Sequence, residues 1–170
     1  YYTLLNCGFQ MRPTAGTASG VHPVPLGFGR VYVHLPGGFN YRAWMQGLDA
    51  GRTFVTTGPM LFVKFNGQVP GHKFKNVQMC RIAGSALSEV PLDRIEVIVN
   101  GEIVHVIKPL NKKRDSGGFN SAIQINLKIE GSSWVALRCF EKRGERFRFA
   151  HSSPVHFQVD GKPLRPRRAE

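Results

Sequence analysis

Beyond Gly51 the hydrophobic period of the chain changes from helical spacing to alternation by two, and it stays there to the end. Short runs follow one another, "RTFVTT", "MLFVKFN", "QMCRIAGSA", "RIEVIVN", "EIVHVI", "SAIQINLKI", "SWVALRCFE", "RFRFA" and "VHFQV", rich in β-branched and aromatic residues and separated by turn signals. This is the spacing of an antiparallel sandwich or barrel, and a mainly β protein with an Ig-like antiparallel β-sandwich is expected. Within the runs, Leu61, Val63 and Phe65 share one face. Ile95, Val97 and Val99 oppose Arg94, Glu96 and Ile98, and Ile123, Ile125, Leu127 and Ile129 oppose Gln124, Asn126 and Lys128. One face should be buried and the other wet. Asn100-Gly101 is the strongest hairpin signal, because both central positions of a type I′ turn need positive φ. Asn66-Gly67 and Asp160-Gly161 repeat it, and Arg143-Gly144 is expected to turn "ALRCFEK" back as "ERFRFA". "NKKRDSGGFN" reads as a long polar loop.

Before Gly51 the chain is punctuated by Gly and Pro and carries one helix pattern, over 41–50. Asn40 is a good N-cap, Tyr41, Trp44, Met45 and Leu48 fall on one stripe, and Gly51 can end the helix in the left-handed conformation. Gly47 inside it costs on the order of 1 kcal/mol relative to Ala and marks a close approach to a neighbour. The 170 residues, 42% hydrophobic, suffice for one ordinary domain with a small extra element beside it. No apolar run approaches the ~20 residues a membrane span needs. The start "YYTLLNCGFQ" lacks the pattern of a signal peptide.

The formal net charge of +12 admits nucleic acid, an anionic surface or an acidic substrate as a partner. The basic residues are nevertheless scattered, and their clusters (Lys112 to Arg114, Lys142 to Arg148, and the tail 162–170) fall in turns and a terminus. A nucleic-acid surface interleaves stacking aromatics with a continuous basic stripe, so a basic nucleic-acid module ranks third among the readings below. Cys7, Cys80 and Cys139 form no C-x-x-C pair, and the last two read as small buried strand residues.

The stretch "TAGTASGVHPVPLG" has the texture of an active-site loop, yet His22 is its one group able to bind a metal or move a proton. The six histidines form no H-x-H, H-E-x-x-H or H-x-x-x-H. Asp49 is the only carboxylate before Glu89, so the first half cannot by itself build the His-plus-carboxylate cage of a catalytic metal cluster. Ser19 lies near His22 but not in a G-x-S-x-G elbow. His105 and His156 read as sheet residues and His72 as a loop residue. Arg30 and Arg52 are candidate anion or surface contacts.

Three segments in order, "YYTLLNCGFQMRPTAGTASGVHPVPLGFGRVYV", "YRAWMQGLDAGRTFVTTGPMLFVKFNGQVPG" and "SSPVHFQVDGKP", resemble the C-terminal part of metallohydrolases related to the carbaryl and carbofuran hydrolases, in the superfamily of PHP (polymerase and histidinol phosphatase) domains. "LDAGRTFVTTGP" is the most specific of them. The resemblance implies a distorted parallel β/α barrel that binds a cluster of divalent metal ions (zinc, manganese or iron), followed by a β-sandwich. Residues 1–58 would then be the terminal part of the barrel, with its last strands and loop up to Val33 and the helix 41–50, and residues 59–170 the accessory sandwich. Such enzymes close their metal site with Gly-Ser/Thr-Asp-x-His. Here Gly16-Thr17 is followed by Ala18, Ser19 and Gly20, so Ala18 stands for the Asp and Gly20 for the His. His22, two residues late, is the candidate metal ligand that remains.

Three functions follow: the C-terminal part of a PHP-like metal-dependent hydrolase or phosphoesterase, itself non-catalytic and binding no stoichiometric metal; a carbohydrate- or protein-binding β-sandwich module; and a basic nucleic-acid module. A glycan reading calls for exposed aromatics such as Phe147, Phe149 or Trp134, although Trp134 reads better as core. The expected partner is the remainder of the barrel N-terminal to Tyr1. Without it, Tyr1 to Leu5 and the apolar face of Tyr41 to Leu48 would form a bare patch open to homodimerisation. Appended sandwiches are common on secreted proteins, which leans towards a periplasmic or secreted location.

Overall fold

Leu61, Val63 and Phe65 do point to one side of their strand, and so do Ile95 and Val97 in another and Ile123 in a third; the chain buries these sides against one another. The computed structural model describes residues 1–18, 20 and 23–164, and in them the protein is mainly β, a sandwich of two sheets. In chain order the elements are α1 (Tyr2–Asn6), β1 (Arg30–Val33), α2 (Tyr41–Asp49), β2 (Thr53–Thr56), β3 (Met60–Phe65), β4 (Lys73–Lys75), β5 (Met79–Ser88) and β6 (Leu92–Val99). They continue with β7 (Glu102–Ile107), β8 (Lys112–Lys113), β9 (Phe119–Lys128), β10 (Ser133–Arg143), β11 (Arg146–Ser152) and β12 (Val155–Gln158).

The larger sheet has eight strands. Its spine is β10, which pairs with β6 along one side and with β11 and β12 along the other. From β11 the sheet runs out through β2 to the edge strand β1, from β12 to β4, and from β6 to β7. Only β12 and β4 pair in parallel. The second sheet has four strands in the order β3-β5-β9-β8. Being narrower, it leaves the flanks of the larger sheet uncovered, with Ile103, Val104 and Val106 of β7 exposed on one of them.

Local chemistry explains the connections. Asn100 (φ 50°) with Gly101 (φ 86°), and Asn66 (φ 47°) with Gly67 (φ 79°), take the paired positive φ of type I′ turns. Asn40 caps α2 by accepting from the Ala43 amide at 2.8 Å. Gly47 sits so close to β1 that an added Cβ would lie 2.4 Å from Val33 Cγ1, which accounts for a glycine within that helix. The β10–β11 turn comes one residue later than expected, at Gly144-Glu145. "NKKRDSGGFN" is not an open loop but a hairpin, with Lys112 and Lys113 paired to Asn120 and Phe119. Asn111 anchors it by bonding both the amide and the carbonyl of Leu92.

The expected last barrel strands are corrected at two places. Tyr2–Asn6 is helical, because Tyr2 and Leu5, three apart, share a face that packs on the outer side of the larger sheet. Leu5 is 1% exposed there, against Trp134, Ile98 and Ala136, and Tyr2 is half-buried, while Tyr1 and Leu4 stay exposed, so the bare patch expected at Tyr1 to Leu5 is covered only in part. Further, β1 runs antiparallel to β2, whereas neighbouring strands of a β/α barrel are parallel, and β2 continues into β11. The boundary expected after residue 58 falls where the chain crosses from β2 in one sheet to β3 in the other. On the apolar face of α2 Tyr41 and Met45 are exposed, while Trp44 and Leu48 are half-buried. A simple wet face also fails for β6. Glu96 and Ile98 are both buried, since α1 and two arginines cover that side. Among the described residues no helix is long and apolar enough to cross a membrane.

Candidate functional site

The glycine-rich loop closes on itself. Thr17 Oγ1 accepts from the Gly29 amide at 2.7 Å, fastening the loop just before β1. Ala18 ends in an exposed methyl and Gly20 has no side chain, so neither offers a donor atom, and the Thr17 hydroxyl is engaged. The described part of this loop therefore does not fit a metal ion. Ser19 and His22 lie outside the described residues, as do residues 165–170 of the basic tail. Among the described residues no three His, Cys, Asp or Glu side chains converge. His105 is exposed on β7 and His156 is half-buried on β12; the pKa of His156 is lowered to about 4 by burial and by the charges of Lys73 and Arg12. His72 packs its ring 4.6 Å from that of Phe74. Among the described residues the sequence-derived candidates do not assemble into one centre.

Arg30 and Arg52 separate into two roles. Arg30 is exposed and lies over the ring of Tyr32, 5.9 Å from its centroid. Arg52 stands between α2 and β2, immediately before the strand. Its amide donates to the Gly47 carbonyl at 2.9 Å and its carbonyl accepts from the His34 amide at 2.8 Å, so its backbone is fixed by α2 and by the segment after β1. Its side chain lines a cavity of about 650 Å³ on the open flank of the sandwich. The walls come from two edge strands in different sheets, β1 with β2 on one side and β3 with the middle of β5 on the other. Tyr32 stacks on Phe54 with ring centroids 5.1 Å apart and an interplanar angle of 9°, and Phe62 meets Phe54 edge-on at 5.9 Å. Arg52 Nε is buried there without a hydrogen-bond partner. The other ionisable lining groups are His34, Lys64 and the Tyr32 phenol; among the described residues no carboxylate lines the cavity.

A polar network lies on the outer face of the larger sheet. Glu96 accepts from Arg94 Nε at 2.6 Å and, through its other oxygen, from Arg138 Nε. Burial alone would raise the Glu96 pKa, but the two arginine hydrogen bonds and charges outweigh it and hold the carboxyl below its usual range. Arg138 Nη1 donates to Tyr2 Oη at 3.4 Å, and Tyr2 Oη lies 2.7 Å from His151 Nε2. Burial and the Arg138 charge push His151 down to about 4, against the opposing effect of its bond to the Ser152 carbonyl; burial above all raises the Tyr2 phenol. At neutral pH both stay uncharged, and the pair clamps α1 to β11. Beyond it, Phe147 and Phe149 are exposed while Trp134 is wholly buried, its Nε1 donating to Asn6 Oδ1 at 2.8 Å. Arg94 already covers the Phe140 ring, 4.2 Å from its centroid.

Comparison with family models, curated proteins and solved structures finds no match. Of the cavity residues, sequence reasoning singled out Arg52 alone. The aromatic wall of Tyr32, Phe54 and Phe62 joins residues from different sheets, and no local spacing announces such a meeting.

Proposed function

We propose that this chain is the C-terminal part of a PHP-like metal-dependent hydrolase or phosphoesterase, and that its own share of that protein is a non-catalytic accessory sandwich. The observation that carries the reading is the loop: Thr17 Oγ1 accepts from the Gly29 amide across a glycine-framed segment, while the two positions at which the resemblance calls for ligands hold Ala18 and Gly20. Any metal and the residues that hold it then belong to the part of the barrel N-terminal to Tyr1, the partner of this chain. Reading the gene upstream of Tyr1 tests this directly. An H-x-H followed by further His and acidic residues is expected, and an upstream frame without them overturns it.

The second reading, a binding sandwich, draws on the cavity between β1 and β3 and is compatible with the first. Of the three aromatics named for its glycan form, Phe147 and Phe149 are exposed and Trp134 is core. The nucleic-acid reading is weakened by how the arginines are used: Arg94 and Arg138 serve Glu96, and Arg143 bridges Glu89 and Glu141.

A further inference from the structure

We infer that the cavity between β1 and β3 binds an amphipathic organic anion, with its aromatic or alkyl body against Tyr32, Phe54 and Phe62 and its acidic group on the guanidinium of Arg52. The inference stands independently of the function proposed above. At about 650 Å³ the cavity matches the size of small-molecule sites, which pair apolar walls with a few placed polar groups. Its charge is of one kind. Arg52 and Lys64 are its cations, His34 and the Tyr32 phenol its other ionisable side chains, and among the described residues no carboxylate lines it.

Arg52 is prepared for a ligand. A buried N–H without an acceptor costs free energy that nothing in the described residues returns, and an oxygen from a bound anion would return it. The backbone of Arg52 is held from both sides by Gly47 and His34, so little ordering remains to be done on binding. The planar fork of a guanidinium suits carboxylate, sulfonate and phosphate alike, and the shared chemistry is a compact oxyanion joined to an apolar body.

The test compares 8-anilinonaphthalene-1-sulfonate with N-phenyl-1-naphthylamine, which has the same ring system without the sulfonate. Fluorescence titrations on the wild-type chain should show one saturable site that prefers the sulfonate. Arg52→Gln should weaken sulfonate binding about tenfold or more and change the neutral probe about twofold at most. Phe62→Ala should weaken both. Unchanged sulfonate affinity in Arg52→Gln, or no saturable site in the wild type, overturns the inference. Should Arg52→Gln fail to fold, the Arg52 Nε–Hε resonance of the wild-type protein decides: it should shift on adding the sulfonate, and a resonance that stays in place refutes the site.

Discussion

Replacing Glu96 with Gln should cost the fold about 1.5 to 3 kcal/mol at neutral pH. The magnitude follows from the surroundings. Glu96 is 3% exposed and joins β6 to β10 through Arg138, whose guanidinium also reaches Tyr2 on α1. Removing one partner of a fully buried pair costs about 3–5 kcal/mol, because the other charge is left without its counter-ion. Here the side chains of Arg94 and Arg138 stay 35% and 26% exposed, and water recovers part of that loss. The pH dependence has a definite sign. The folded-state pKa of Glu96 is depressed, so its stabilisation is complete above the unfolded-state value and fades as pH falls through the folded-state value. His151 and His156, both depressed to about 4, make either protein lose stability between the ordinary histidine range and about pH 4, and subtracting variant from wild type removes that shared slope. Urea unfolding read by tryptophan fluorescence is the assay, since Trp134 lies under α1. The gap should close below the normal carboxylate range, where wild-type Glu96 takes up its proton. A gap under about 0.5 kcal/mol at pH 7, or one indifferent to pH, refutes the assignment of Glu96 as an ionised brace.

Gly47→Ala should gain about 1 kcal/mol of helix propensity and lose more than that to the clash with Val33, for a net destabilisation that Val33→Ala relieves; a raised melting temperature in Gly47→Ala would contradict the packing. Asn6→Ala strands the buried indole N–H of Trp134 and removes a donor from the Asn100 carbonyl, so urea unfolding should register a loss of about 1–3 kcal/mol. A neutral outcome would mean that α1 is not held by this bond. In the native protein a thiol reagent at pH 8 should titrate Cys7 alone, because burial pushes Cys80 and Cys139 up to about 12, whereas denaturant should release all three; rapid labelling of a second thiol in the folded state would refute their burial.

Much of the sandwich was legible because its signals are local. Asn40 announced a helix start and Asn100-Gly101 a hairpin, and Leu61, Val63 and Phe65 marked a core face, each through chemistry contained in a few neighbouring residues. What escaped depends on remote partners. Arg94 and Glu96 read as the wet face of β6, yet that face is roofed by α1, a helix too short for its period to show. The run from Lys112 to Asn120 read as a loop because β8 is only two residues long and draws its order from Asn111 reaching back to Leu92. Arg52 could be picked out in the sequence as a cation beside a β-run. That it would line a cavity walled by aromatic rings depends on β1 and β3 flanking that cavity, and they belong to different sheets.

The central claim is that this chain carries the frame of a metal-site loop without the ligands. Titration of the purified chain with zinc or manganese, followed by elemental analysis after desalting, tests it most directly. Less than one equivalent of metal should be retained, in the wild type and in His22→Ala alike. A stoichiometric ion in the wild-type chain that is lost in His22→Ala would make His22 a true ligand and refute a loop without ligands.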